Sequence, residues 1–114
     1  MSLMATFDAS RMLSFDLETT SANPREARVV TSALVRIDGS KVDANETLAD
    51  PGVEIPEEAA KVHGITTEKA RAEGRDHDEV VRETVEAIKK GWEDGLTLVV
   101  FNAPYDLTVL RQLT

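Results

Sequence analysis

Asp16 and Glu18 stand two apart at the end of an apolar run, in the stretch FDLETT (15–20). Alternate residues of a strand project to one side, with Cα atoms about 6.6 Å apart. Two such acids can reach a single divalent cation, or flank a pair of cations about 3.5–4 Å apart. A strand that merely ends in water-facing acids is the plainer account, and the Asp-x-Glu spacing by itself favours it. Asp106 weighs on the other side. It shares a helical stripe with Val109, Leu110 and Leu113, at i, i+3, i+4 and i+7, so it heads the face that should be buried. A buried charge is costly and calls for a partner or a metal. The alternative is a first-turn acid, which gains about 0.3–1 kcal/mol from the helix dipole. If the strand before Asp106 lies beside the strand holding Asp16, three carboxylates meet at the carboxyl ends of strands, where ligands gather in open α/β sheets. Such hard oxygen ligands suit Mg²⁺ or Mn²⁺ rather than zinc.

The elements that must position these acids are legible in turn. Residues 11–17 alternate, with Leu13, Phe15 and Leu17 on one face and Met12, Ser14 and Asp16 on the other. The turn formers of ETTSANPRE (18–26) end that strand. ARVVTSALVRI (27–37) predicts a second strand, Asp38-Gly39 a hairpin, and 41–49 a returning strand whose polarity suits a sheet edge. Pro56, Glu57 and Glu58 open a helix that Gly64 closes, and Thr66 caps a second short one. Asp76 with Glu79 caps a long helix to about Trp92, with Val81, Thr84, Val85, Ile88 and Trp92 as its apolar stripe. LTLVVF (96–101) reads as a buried strand, and Asn102 as the cap of a last helix. The order β-β-β-α-β-α predicts an α/β fold with a mixed sheet in the order 3-2-1-4, the last strand parallel to the first. Trp92 and Tyr105 are expected to pack, His77 to lie exposed in a polar turn, and Glu57-Glu58 and Lys89-Lys90 to be solvated helix surface. His63 is favourable at a helix C-terminus without any ligand.

With 114 residues the chain is one domain or part of one. It has no cysteine, which excludes disulfides and thiolate metal sites. No apolar run approaches the roughly 20 residues of a membrane helix, and the first residues lack a secretory pattern. A cytoplasmic location and no membrane partner are expected. The net charge of −8 argues against a module that simply coats nucleic acid. It leaves room for an enzyme that meets phosphates through bound divalent cations.

FDLETT resembles the first motif of the DEDD 3′–5′ exonucleases, the RNase H-like group that includes the proofreading epsilon subunit of bacterial DNA polymerase III and RNase T. NAPYD (102–106) resembles the second motif, and PEEAAKVHGIT (56–66) resembles the epsilon-like branch. The resemblance implies that Asp16, Glu18 and Asp106 are catalytic and hold two divalent cations, Mg²⁺ or Mn²⁺. It implies that Leu17 and Thr19 meet the 3′-terminal nucleotide and that His63 and Ile65 border its base or sugar. Asn102 would position the scissile region, and Tyr105 would supply the aromatic contact that phenylalanine makes in the family. Three features depart from the pattern. Ser21 replaces a common glycine, Phe101 a common histidine, and the third motif, with its general base and fourth carboxylate, has no counterpart.

Residues 1–3 therefore read as a leader, and residues 4–114 as the N-terminal part of a single exonuclease domain, with the outer fifth strand and C-terminal helices missing. The complete domain would release 5′-mononucleotides from the 3′ end of single-stranded DNA or RNA; the chain alone is expected to be inactive or nearly so. A DNA polymerase or other replication protein is the implied partner. An uncovered strand edge also predicts self-association or exchange of elements. Two rivals remain open at this stage: a non-catalytic module that binds nucleotides or single-strand ends, and a subunit-docking domain.

Overall fold

The structure, a computed structural model, describes residues 10–100 and 103–114. Three long strands come first: β1 (Arg11–Thr19), β2 (Val29–Asp38) and β3 (Lys41–Asp50). Two short helices follow, α1 (Glu57–His63) and α2 (Thr67–Glu73), then a two-residue strand β4 (Arg75–Asp76). The chain continues through α3 (His77–Glu93), β5 (Thr97–Val99) and α4 (Ala103–Leu113). Among the described residues no helix is long and apolar enough to cross a membrane.

The sheet runs β4-β3-β2-β1-β5. β1 and β2 are antiparallel, as are β2 and β3, whereas β5 lies parallel to β1. This is the expected 3-2-1-4 order with one addition, β4, which pairs parallel with Ala49 and Asp50 at the end of β3. The β2–β3 turn has Gly39 at φ 65°, with Asp38 paired to Lys41 across it. Such a turn needs φ > 0, which costs glycine nothing.

Phe15 and Leu17 face a core that includes Val29, Val80, Val81, Val109 and Leu110, supplied by β2, α3 and α4. A smaller cluster joins Val30, Ile55 and Ala70, with Leu48 and Ile65 packed against it. Register assigns the sides. Glu18 pairs with Thr31 and Thr31 with Leu48, so the acids of β1 share a face with the smaller cluster. α3 and α4 cover the opposite face. Between Glu18 and Thr19 the register shifts, because Val30 is an extra residue in β2. The bulge sends adjacent Val29 and Val30 into different clusters.

Helix caps follow the sequence. Thr66 accepts from the Lys69 N–H (3.2 Å), and Asp76 from the Glu79 N–H (3.1 Å). The Glu79 carboxylate pairs with Arg75 instead of completing a reciprocal cap. Gly64 closes α1 at φ 75°.

Three expectations are corrected. His77 is buried, not exposed. Its Nε2 accepts the Val29 N–H (3.0 Å), which leaves the ring proton on Nδ1 for Asp78 (2.9 Å). That hydrogen bond holds the Asp78 carboxyl below its usual range. Trp92 is 75% exposed and does not pack in the α3 stripe. The buried face of α3 instead runs through His77, Val80, Val81, Thr84 and Gly91. At Gly91 the helix approaches β1 so closely that an added Cβ would lie 2.8 Å from Leu13 Cδ2. The strand expected to be buried over 96–101 is only half-buried and shorter, Thr97–Val99, and Asn102 lies outside the described residues.

Candidate active site

The carboxyl end of β1 is where the elements converge. β5 pairs with β1 only from Met12 to Ser14, so on that side β1 continues beyond its neighbour. The Leu17 N–H donates to the carboxylate of Asp106, which sits in the first turn of α4. Asp106 is 3% exposed, as its place at the head of the Val109–Leu110 stripe requires. Its pKa is pushed up to about 6: burial is the main cause, the charge of Asp16 adds to it, the Leu17 N–H opposes it, and Glu18 contributes a smaller increase.

Asp16 is exposed and Glu18 half-buried on the other face of the strand. The structure thus brings Asp16 and Glu18 near enough for their charges to act on Asp106. It does not close them into a cage. Among the described residues no three His, Asp or Glu side chains are gathered tightly enough to hold a metal ion. The donor set nevertheless fits a hard cation: it is all carboxylate oxygen, and Asp106, raised first by burial, is raised further by two like charges that a cation would offset.

Beside these acids opens a groove of about 950 Å³. Leu17, Glu18, Thr19, His63 and Tyr105 line it, as do Thr20 and Ser21 beyond the strand and Glu58, Ala59 and Val62 of α1. Asp16 and Asp106 are outside this lining. Ile65 is outside it too, packed against the Val30–Ile55–Ala70 cluster, where it anchors the residues after α1.

His63 joins α1 to the strand end. Its Nδ1 accepts the Ile65 N–H (3.2 Å), so Nε2 carries the proton toward the Thr19 carbonyl (3.3 Å). From the other side, the Tyr105 hydroxyl contacts the Thr19 hydroxyl and donates to the Ser21 carbonyl. Thr19 itself donates to the same carbonyl (3.0 Å). Burial pushes the Tyr105 phenol up, the Thr19 hydroxyl partly offsets this, and Asp106 and Glu18 add a smaller increase. Phenylalanine could not make these bonds. Tyr105→Phe is expected to keep the fold and lose about 1 kcal/mol of stability, measured by urea denaturation.

Sequence reasoning missed the groove wall. Glu54, Glu58 and Val62 line it, yet Glu58 reads as ordinary solvated helix surface. The only available signal was the place of Glu58 and Val62 just before His63, in the segment (56–66) whose resemblance was recognised; Glu54 lies before that segment and carried none.

Residues 13–112 match the model of the exonuclease family. The chain belongs to that family, within the DEDD 3′–5′ exonuclease superfamily. It is 35% identical to a DNA polymerase III subunit epsilon-like protein of Rhodobacter capsulatus over 108 residues, covering 86% of this chain and 14% of the relative. Among solved structures, apo exonuclease I superposes with a TM-score of 0.74 at 20% identity, over 93% of this chain and 24% of that one. Exonuclease I of E. coli in complex with a dA16 oligonucleotide gives 0.72 at 23% identity, over 91% and 23%. The fold is the RNase H-like α/β fold of those enzymes. The chain spans no more than about a quarter of the length of these relatives.

Proposed function

We propose that this chain carries the metal-binding and nucleotide-binding half of a 3′–5′ exonuclease site acting on single-stranded DNA or RNA. The observation that supports this most directly is Asp106: a carboxylate of the first turn of α4, raised by its burial and then by the charges of Asp16 and Glu18, beside an open groove. Asp16, Glu18 and Asp106 would hold Mg²⁺ or Mn²⁺. Two such ions, when bound, offset charge on the scissile phosphate and favour deprotonation of the attacking water. The chain's own residues do the rest of the positioning. Leu17 and Thr19 floor the groove for the 3′-terminal nucleotide, and His63 and Tyr105 fix the Thr19 segment from opposite sides. Ile65 acts through packing, and Asn102, which lies outside the described residues, keeps the role that the resemblance implies for it.

The general base and fourth carboxylate that the resemblance implies have no counterpart among residues 1–114. The chain alone is therefore expected to release nucleotide at or near background. A chain extended to include those residues should release 5′-mononucleotides. The test is 3′-end-labelled single-stranded DNA and RNA with Mn²⁺, comparing the two chains. No metal-dependent release from the extended chain would remove the nuclease reading. In parallel, Asp16→Ala and Glu18→Ala should each weaken Mn²⁺ binding by calorimetry at least tenfold. Unchanged affinity would favour a docking domain, and tight oligonucleotide binding without metal would favour a non-catalytic module.

A further inference from the structure

His77 is buried, yet it is neither one of the proposed metal ligands nor part of the groove lining. Its place answers a backbone problem in β2. A bulge sets two residues of one strand against one of its neighbour and leaves the extra residue out of the ladder. Here Val30 is extra between the pairs Glu18–Thr31 and Thr19–Val29. The Val29 N–H, buried at this point, donates to Nε2 of His77 (3.0 Å), the first residue of α3. A buried amide left without an acceptor is costly, so the bulge depends on that nitrogen.

Only one tautomer of the ring can serve. With the proton on Nδ1, Nε2 accepts from Val29 and Nδ1 donates to Asp78 (2.9 Å). With the proton on Nε2, two donors would face each other and Asp78 would lose its partner. Only the Arg28 guanidinium, 3.1 Å from Nδ1, would gain an acceptor. Two bonds against one select the Nδ1–H form. Arg28 extends the restraint toward β1. Its N–H donates to the Thr20 hydroxyl (3.0 Å), its carbonyl accepts the Thr20 N–H (3.0 Å), and its Nε donates to the Pro51 carbonyl. Were the ladder to close without the bulge, Thr19 would pair with Val30. A slip of one residue turns side chains to the opposite face, and this one would begin at the peptide that follows Glu18.

We propose that His77 is a positioning residue of the metal site: by accepting the Val29 amide it holds the bulge that aims Glu18. This rests on the reading of Glu18 as a metal ligand and adds to it a residue from the helix on the far face of the sheet.

The test is Mn²⁺ calorimetry and amide exchange on the full chain, on His77→Phe, which keeps bulk but has no acceptor, and on His77→Gln, whose amide oxygen can accept. His77→Phe is expected to lose about tenfold in Mn²⁺ affinity, as supporting hydrogen-bond partners of a metal site do, and to exchange the Val29 amide much faster. His77→Gln should recover most of both. In a Glu18→Ala background His77→Phe should cost less than about twofold more, because its effect passes through Glu18. A folded His77→Phe with wild-type affinity, a full further loss in the Glu18→Ala background, or no recovery in His77→Gln overturns the inference and leaves the nuclease reading intact. The wild-type imidazoles give a readout that needs no variant. Their ¹⁵N spectrum at about pH 7.5 should show the proton on Nδ1 of His77 and on Nε2 of His63, the opposite tautomers that their hydrogen bonds require. A proton on Nε2 of His77 overturns the inference whether or not the variants fold. Wild-type protein that binds no Mn²⁺ removes the metal-site reading, and this inference with it.

Discussion

Asp106→Asn is expected to melt several degrees above the wild-type protein at pH 7.5 in EDTA, and to gain no further stability when Mn²⁺ is added. The first effect follows from the raised pKa. Folding lifts Asp106 from 3.8 to about 6, so the folded state binds that proton more tightly than the unfolded state. The stabilising contribution is complete below about pH 3.8 and is lost as pH rises through about 6. At pH 7.5 the ionised group opposes folding by about 1–2 kcal/mol, after a discount for solvent screening. Asparagine removes the charge while keeping an oxygen for the Leu17 N–H. The pH dependence of stability between 4 and 6 should flatten accordingly. The second effect follows from the proposed ligand role. A cation at one hundred times its Kd stabilises the wild type by about 2.7 kcal/mol, and the variant would forfeit this. Thermal melts over pH, with and without Mn²⁺, separate the two. A variant less stable than wild type in EDTA at pH 7.5 would show that the ionised carboxylate is needed for folding.

The second large effect is at Gly74, between α2 and β4. Its φ of −76° is open to any residue, so conformational freedom is not what requires glycine. Contact is. A Cβ there would lie 2.4 Å from the Ala70 carbonyl oxygen, 2.5 Å from the Asp50 nitrogen and 2.6 Å from the Ala49 carbonyl carbon. All three are backbone atoms, fixed by a helix end and a strand pair, so Gly74→Ala must displace α2 or β4 from β3. A loss of about 3 kcal/mol or more is expected in urea denaturation. Gly91→Ala provides the comparison. Its nearest obstacle is the end of the Leu13 side chain, which can rotate, and the loss should be clearly smaller. Equal losses would refute the distinction between backbone and side-chain obstacles.

Why Gly74 matters could not be read from the sequence, and the same holds for His77. Arg75, Asp76, Asp78 and Glu79 surround the histidine with polar residues, so its local pattern is that of a surface turn. Its burial depends on the backbone N–H of Val29, 48 residues away, beside a bulge that no periodicity announces. Trp92 misled for a related reason. Hydrophobic spacing assigns the largest apolar residue to the core, but close approach of helix to sheet selects the smallest, and Gly91 takes the place against Leu13. The long strands, the hairpin, both helix caps and the place of β1 between β2 and the last strand were legible, because they follow from alternation, glycine, capping chemistry and short connections. The burial of Asp106 was legible too, from its helical stripe. The acidic groove wall was not, since Glu54 and Glu58 acquire meaning only when α1 folds across from the end of β1.

Thr19 ends the strand under restraint from two helices. His63 binds its carbonyl from α1, Tyr105 meets its hydroxyl from α4, and the adjoining Thr20 N–H is taken by the Arg28 carbonyl (3.0 Å). Strand tips ordinarily fray, and their amide protons trade with solvent early. Here the tip is tethered on both flanks one peptide from Glu18, so deuterium should enter this segment more slowly than the opposite terminus of β1 near Arg11. The stiffest stretch of the strand would then be the one beside Glu18, a proposed metal ligand.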